Sequence, residues 1–213
     1  MPEAVDYFSN HQLKLRLPWR LYHGPIVHTA ARVVRESGAT EVLNVGSGPF
    51  FEFSSLPQEG RRYTICDIDP RAVSYARSLH GEQLAGADVL QPDEPLPYAD
   101  GRFDLVLSMD VIEHLSRPGP WLADLVRVLR PGGQLFLTTP NYGSFSLLPL
   151  IEKTVLEAIA RVQGFTRRGL HPTPFDKQSL VSTLREAGTL DIQVSTISFG
   201  WVLAATARRP HHS

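Results

Sequence analysis

The sequence predicts an α/β fold in which a mostly parallel sheet carries helices on both faces. Short β-branched runs alternate with helix-like segments, a pattern that is typical of parallel sheets wrapped by helices. Only Gly200 separates the last two runs, which predicts an antiparallel hairpin at the end of the sheet. The seven strand candidates are Glu41–Gly46, Tyr63–Ile68, Gln83–Asp88, Phe103–Met109, Gly133–Pro140, Asp191–Phe199 and Trp201–Arg209.

Helix candidates fill the gaps between these strands, and their ends carry the expected capping residues. Pro25 opens the first helix, and Asp69 followed by Pro70 opens the second. Glycine follows the last periodic residue at each carboxyl end. The predicted helices are Pro25–Gly38, Asp69–Gly81, Pro118–Gly133 and Asp176–Gly188.

The composition indicates a single globular domain over residues 1–213. A hydrophobic fraction of 42% suits one substantial core, and the formal net charge of −1 gives no reason to expect a nucleic-acid partner. The single cysteine, Cys66, excludes an internal disulfide and a multi-cysteine metal site. With no signal peptide and no transmembrane run in the sequence, we expect a cytoplasmic protein.

A long insertion is predicted at 141–175, between the fifth strand and the last helix. Part of it, 144–163, has the spacing of an amphipathic helix. It can cover the sheet edge or form a dimer contact, or it can act as a lid that touches an apolar substrate or a membrane surface. The apolar positions that share one side are Leu148, Ile151, Val155, Ile159 and Val162.

A glycine pair follows the first strand in the run "VLNVGSGPF". Gly46 and Gly48 allow the backbone to turn tightly and to approach a ligand closely. Asp67 ends the next strand, where an acid can bind ribose hydroxyls, and Asp88 ends the third, where it can bond an adenine amino group. Phe51 stands where a dinucleotide fingerprint needs its third glycine. The loop therefore favours S-adenosylmethionine, which has no pyrophosphate, over a nicotinamide dinucleotide.

Six motifs in order carry a resemblance to a known family. They are "VLNVGSG", "CDIDP", "GADVLQP", "FDLVLSMDVIEHL", "LRPGGQLFLTTPN" and the closing strand pair. Over Glu41 to about Arg209 the chain resembles the class I S-adenosylmethionine-dependent methyltransferases. The resemblance implies a Rossmann-like seven-stranded sheet with an antiparallel last strand, methyltransferase activity over the single domain 1–213, and 1–38 as an N-terminal helical cap segment.

The resemblance also implies the residues that bind the cofactor. The glycine loop passes beneath the methionine and ribose, Asp67 holds the ribose and Asp88 recognises the adenine edge. Two departures stand out, because Asn44 replaces a usual acid and Phe50 replaces a usual third glycine. The predicted cofactor residues are Asn44, Gly46, Ser47, Gly48, Asp67, Ile68, Asp88, Val89, Ser108 and Met109.

Three ionisable residues follow the fourth strand in "DVIEHL". If this run forms a helical turn, Asp110, Glu113 and His114 share one face at i, i+3 and i+4. Three interpretations stay open. His114 acts as a base or a substrate contact; the three bind a divalent cation together with His171; or they only stabilise the turn.

The same run resembles a narrower group of methyltransferases. Ubiquinone-biosynthesis O-methyltransferases and small-RNA 2′-O-methyltransferases carry an acid-x-x-Glu-His run after the fourth strand and a later histidine, which bind a divalent metal beside the accepting oxygen. Here Asp110 stands where they usually have Glu. The low net charge disfavours RNA, so we expect O-methylation of a small molecule by a monomer or homodimer. Alternatively, the chain is a non-catalytic cofactor-binding partner. The predicted substrate residues are Tyr22, His23, Asn141 and His171.

Overall fold

The computed structural model of the protein describes residues 19–143 and 171–211. In these residues, four α-helices surround one sheet of seven strands. The helices are α1 (Trp19–Ser37), α2 (Pro70–His80), α3 (Pro118–Val128) and α4 (Lys177–Glu186). The strands are β1 (Glu41–Val45), β2 (Arg62–Asp67), β3 (Leu84–Val89), β4 (Phe103–Met109), β5 (Leu129–Pro140), β6 (Leu190–Ile197) and β7 (Val202–Arg208).

The strand order is β3-β2-β1-β4-β5-β7-β6. β1 to β5 are parallel, and β7 runs antiparallel to both β5 and β6. The predicted fold is therefore confirmed, including the antiparallel last strand. Because β1 and β4 are neighbours, their carboxyl ends form the topological switch point at which open α/β sheets bind ligands.

Each face of the sheet has its own hydrophobic core, because successive strand residues point to opposite sides. On one face, Leu43, Leu137 and Leu203 pack with residues of α3 and α4. On the other face, Val42, Leu107 and Phe136 pack with residues of α1 and α2. Because this alternation continues to the end of a strand, neighbouring residues at the strand ends also point to opposite faces of the sheet.

Two predicted helix ends are wrong. α1 begins at Trp19 and carries Pro25 inside the helix, because a tertiary contact holds its first turns: the Ser198 hydroxyl donates to the Tyr22 carbonyl over 2.7 Å. α3 ends at Val128 rather than at Gly133. Arg130 precedes a proline and disfavours the helical conformation, so the chain is extended from that point.

The predicted hairpin also differs in its turn. A 3₁₀ turn, Ser198–Gly200, separates β6 from β7 in place of a single glycine. Most of the predicted insertion, 144–170, and residues 1–18 lie outside the described residues. This includes the predicted amphipathic helix and membrane contact at 144–163. Among the helices of the described ranges, none has the length and hydropathy needed to cross a membrane.

Candidate active site

The glycine loop lies at the carboxyl end of β1. Gly46 has φ +71°, and its N–H donates to the Cys66 carbonyl over 2.9 Å. A Cβ on Gly46 would lie 2.4 Å from Cγ2 of Val111, a separation that real side chains do not tolerate. Only glycine fits here, and its place beside Val111 brings the cofactor loop against the turn that follows β4.

Asp67 is held in place by backbone donors. Its Oδ2 accepts from the Gly48 N–H over 2.7 Å, and its Oδ1 accepts from the Asp69 N–H over 2.9 Å. A carboxylate only accepts hydrogen bonds, which is the role that ribose hydroxyls require of a partner at this strand end. The interaction with Gly48 joins the glycine loop to the end of β2.

Two apolar side chains lie exposed beside the acids at the ends of β2 and β3. Ile68 is 64% exposed and Val89 is 41% exposed. Strand β3 pairs with β2 so that Val89 lies opposite Asp67 and Asp88 lies opposite Cys66. Apolar side chains next to carboxylates suit an adenosine, because the flat faces of adenine pack against apolar groups while its amino group and the ribose hydroxyls form hydrogen bonds.

Asn44 is fully buried in β1, on the face covered by α1 and α2. Its Oδ1 and Nδ2 have no hydrogen-bond partner among the described residues. A buried amide left in this state costs about 1–3 kcal/mol, which a bound cofactor or water can recover. Ser108, also predicted in the cofactor site, donates its hydroxyl to the Val45 carbonyl over 3.0 Å and so stabilises the neighbouring strand ends.

Beyond β4, Glu113 and His114 lie in a 3₁₀ turn, Ile112–His114. Thr139 at the end of β5 donates its hydroxyl to Glu113 Oε2 over 3.1 Å, and Glu113 Oε1 lies 3.9 Å from His114 Nε2. The Glu113 side chain is only 1% exposed. We call Thr139, Glu113 and His114 the inner chain; it lies on the face of the sheet covered by α3 and α4.

His171 joins the inner chain from the far end of the insertion. Its ring lies 5.0 Å from that of His114, and its Nδ1 is hydrogen-bonded to the Tyr142 hydroxyl. Two contacts of Thr173 hold this segment in place, because its N–H donates to the Glu113 carbonyl and its hydroxyl to that of Leu115. Ligand atoms of Glu113, His114 and His171 lie within 4.8 Å of one another.

Asp110 is not part of that cluster, so the predicted shared face for Asp110, Glu113 and His114 is wrong. Asp110 has φ +55°, which breaks the helical turn that the spacing assumed. Its Oδ1 accepts from the Thr138 hydroxyl over 2.8 Å, and its Oδ2 lies 3.8 Å from His23 Nδ1. Thr138, Asp110 and His23 form the outer chain, which lies on the face covered by α1 and α2.

Of the other predicted substrate residues, Tyr22 lies beside the outer chain and Asn141 lies just after β5. The Tyr22 ring packs edge-on against His23 at 4.8 Å. Asn141 follows β5, and its amide nitrogen donates to the Gly200 carbonyl over 2.8 Å, while its oxygen accepts from Gly143 N–H over 3.0 Å. Asn141 thus orders the turn between β6 and β7 at the same sheet edge.

The two threonines and Tyr142 were not predicted from the sequence. Their signal is the run "TTPNY", in which two adjacent hydroxyl residues end a buried strand and an aromatic hydroxyl follows. Because neighbouring strand residues point to opposite faces, such a pair can support one polar chain on each side of the sheet.

The strand order of the sheet, with a ligand site at the carboxyl ends of β1 and β4, is that of the class I methyltransferases. Residues 43–137 match the family model described as a methyltransferase domain. A chain from the complex between the Haloferax volcanii Trm112 methyltransferase activator and a methyltransferase shares the fold, with a TM-score of 0.69, 18% identity, and 91% and 94% of the two chains covered. A SAM-dependent methyltransferase from Aquifex aeolicus matches with a TM-score of 0.64, 21% identity, and 92% and 96% coverage.

Sequence relatives take the assignment one step further. A protein of Mycobacterium avium (strain 104), called an uncharacterized methyltransferase, is 31% identical over 98% of this chain and 84% of its own length. One from Mycobacterium sp. (strain JLS) is 32% identical over 65% of this chain. The match spans little more than half of that relative, 57% of its length. The chain belongs to the class I S-adenosylmethionine-dependent methyltransferase family, and the predicted family is confirmed.

Proposed function

We propose that this protein methylates an oxygen atom of a small molecule at the carboxyl ends of β4 and β5. When bound, S-adenosylmethionine supplies a methyl group on a sulfonium, which passes to the acceptor oxygen as the bond to sulfur breaks. The protein must position the acceptor, exclude water and remove the hydroxyl proton. The observation that carries the proposal is the cluster of Glu113, His114 and His171, which follows directly on the turn that contacts the glycine loop.

The residues around the glycine loop fit the cofactor. Gly46 leaves room that a Cβ would fill, and the buried amide of Asn44 lacks a partner among the described residues. Asp67 is fixed by two N–H donors at the end of β2, where a carboxylate can accept from ribose hydroxyls. Exposed Ile68 and Val89 offer the adenine apolar contacts. We assign Ser47, Gly48, Asp88, Ser108 and Met109 to the same site.

In this proposal His114 accepts the proton of the acceptor hydroxyl. The Glu113 carboxylate lies 3.9 Å from His114 Nε2 and is nearly inaccessible to water. A negative charge in such a place stabilises the imidazolium that forms, because little solvent screens the interaction. The Thr139 hydroxyl orients this carboxylate.

In this proposal Tyr22 and His23 contact the acceptor from the opposite face. His23 is 21% exposed and Asp110 is 15% exposed, so the outer chain remains accessible to a ligand. Asp110 acts through His23, whose Nδ1 it faces. Asn141 acts at the edge of the site, where it orders the turn that contacts the first part of α1.

A second candidate function uses a divalent cation. Glu113, His114 and His171 offer one carboxylate oxygen and two imidazole nitrogens within 4.8 Å, a donor set that suits a borderline divalent ion. When bound, such a cation lowers the pKa of a coordinated hydroxyl. Asp110 lies outside this cluster and is not needed for it.

Calorimetry with S-adenosylhomocysteine tests the cofactor site. Asp67→Asn should weaken binding about tenfold or more, since the ribose and Gly48 both lose a charged acceptor. The matched control is Asp191→Asn, an exposed acid near the start of the edge strand β6. Equal affinities for the wild type and Asp67→Asn would sink the assignment.

Methyl transfer itself is tested with isotopically labelled cofactor and a panel of small hydroxyl compounds. Label should appear in an ether or ester product, and His114→Gln should slow its formation.

For the cation, protein stripped by chelation should bind Mn²⁺ in a calorimeter. Glu113→Gln should abolish the heat of Mn²⁺ binding, while Asp110→Asn should keep it. Full activity of stripped protein would refute the cation mechanism.

A further inference from the structure

Tyr98, which neither the motifs nor the family resemblance singles out, lies beside the predicted adenine site. Its hydroxyl donates to Asp88 Oδ2 over 2.9 Å, and its side chain is buried with the residue only 6% exposed. Burial, with the nearby Cys66 and the negative charge of Asp88, raises the pKa of the Tyr98 hydroxyl. The hydroxyl therefore stays protonated and remains a donor.

The Tyr98 ring is held by aromatic and cationic neighbours. Phe103, at the start of β4, meets it edge-on with ring centroids 5.2 Å apart. The guanidinium carbon of Arg102 lies 5.1 Å from its ring centroid. Because these neighbours contact the Tyr98 ring on two sides, its hydroxyl is held in one position next to Asp88.

The backbone around Tyr98 is anchored just as firmly. Arg127 of α3 donates through Nη1 to the Tyr98 carbonyl over 2.8 Å and through Nη2 to the Leu96 carbonyl over 3.0 Å. Asp124 accepts from Arg127 Nε and from the Leu96 N–H, each over 2.6 Å. One arginine–aspartate pair on α3 thus fixes the loop that carries Tyr98.

We propose that Tyr98 is a positioning residue for cofactor recognition, which holds Asp88 so that its other oxygen, Oδ1, accepts a hydrogen bond from the exocyclic amino group of adenine. This proposal rests on the proposed cofactor site and adds a residue to it. Tyr98 acts only through Asp88 and does not touch the cofactor.

The physical reason is preorganisation. Asp88 is the penultimate residue of β3, and a half-buried carboxylate there can rotate about its side-chain bonds. Fixing one oxygen before the ligand arrives removes an ordering cost from binding. It also replaces part of the hydration that Asp88 loses when an adenine ring covers it.

The test compares two ligands, S-adenosylhomocysteine and its analogue whose purine lacks the 6-amino group. In the wild type the amino group should strengthen binding about tenfold, the range for a hydrogen bond to a charged group. Tyr98→Phe should remove most of that ratio by weakening S-adenosylhomocysteine while leaving the analogue unchanged. Calorimetry gives both affinities, and their ratio does not depend on the folded fraction.

The control is Tyr63→Phe, which deletes another buried hydroxyl, one that donates to the Pro57 carbonyl over 2.6 Å. This variant should keep the ratio. In Asp88→Ala the ratio should already be lost, and adding Tyr98→Phe should change it no further. If Tyr98→Phe does not fold, Arg127→Lys, which loosens the same loop, should lower the ratio instead.

A ratio that stays at its wild-type value in Tyr98→Phe overturns the proposal. That result differs from failure of the proposed function, in which the wild type itself would not bind S-adenosylhomocysteine.

Discussion

The inner chain and the outer chain have the same composition, a threonine, a carboxylate and a histidine, yet they differ in burial and in backbone conformation. Their threonines, Thr139 and Thr138, are neighbours on β5 and point to opposite faces of the sheet. In the inner chain, Glu113 is 1% exposed. In the outer chain, Asp110 is 15% exposed and has φ +55°.

The two chains also differ in the free-energy cost of forming them, which is desolvation in the inner chain and backbone strain in the outer chain. Burying Glu113 costs solvation energy, which makes its charge effective on a nearby imidazole. Asp110 keeps some water but needs a left-handed backbone, which costs about 1 kcal/mol for a residue other than glycine. We infer that the inner chain suits proton transfer and that the outer chain suits positioning.

The largest expected effect separates the two histidines. His114→Ala should lower kcat about 10²-fold or more, the usual contribution of a general base. His23→Ala should mainly raise KM, and by less than tenfold. Steady-state kinetics with labelled cofactor measures both, and losses of equal size and kind would remove the distinction between the chains.

Stability should show the backbone cost of the outer chain. Asp110→Ala should destabilise the protein by about 2 kcal/mol, since it loses the Thr138 hydrogen bond and keeps the strained φ. Asp110→Gly should cost about 1 kcal/mol less, because glycine adopts positive φ freely. Urea unfolding followed by circular dichroism gives the two values; the reverse order would contradict this account.

Neutralising each carboxylate while keeping its size should show the effect of burial. Glu113→Gln should lower kcat about tenfold, because a charge in a dry environment is lost. Asp110→Asn should lower it less than threefold, since water screens the outer carboxylate. The comparison needs kcat at saturating acceptor, and a larger effect from Asp110→Asn would reverse the assignment.

The smallest expected effect concerns the segment that supports only the inner chain. His171–Phe175 leads into α4, whose cap Asp176 accepts from the Ser179 N–H over 2.7 Å. This hydrogen bond lowers the pKa of Asp176 below its ordinary value of 3.8. The folded pKa is therefore below the unfolded one, so the stabilisation is present above about pH 4 and is lost as pH falls through the folded value.

Asp176→Asn keeps a capping oxygen and removes the titrating carboxyl. Above pH 4 the wild type should be more stable by a few tenths of a kcal/mol, and the difference should vanish in more acidic solution. Thermal unfolding between pH 2 and pH 6 (an interval of roughly two units on either side of the carboxyl range) measures it. A difference that does not change with pH would exclude Asp176 as its source.

Much of the fold follows from local signals. The strand runs, the glycines and the acids at the ends of β2 and β3 were all predictable, because each depends on a neighbour in sequence or on the standard strand order. Asp67 illustrates this: its contact with Gly48 follows from the pairing of β1 with β2. The start of α1 was not predictable, since Ser198, distant in sequence, holds its first turns.

The residue types of the site were predictable from the sequence, but the face of the sheet to which each side chain points was not. Glu113, His114 and His171 come together as the hypothesis required, yet Asp110 turns to the other face because one positive φ follows β4. The spacing of residues in the sequence does not show that one residue has a left-handed backbone conformation. Tyr98 and the two threonines were missed for a related reason, since their partners, Asp88, Asp110 and Glu113, lie in other elements of the fold.

The contact between Gly46 and Val111 has a consequence for sequence variation. A methyl group of Val111 occupies the space in front of the Gly46 Cα, so the volumes of these two side chains must trade off. Among natural relatives, the first position should therefore stay glycine wherever the second is as large as valine. Protein engineers who shorten the side chain at position 111 would thereby also loosen the cofactor loop.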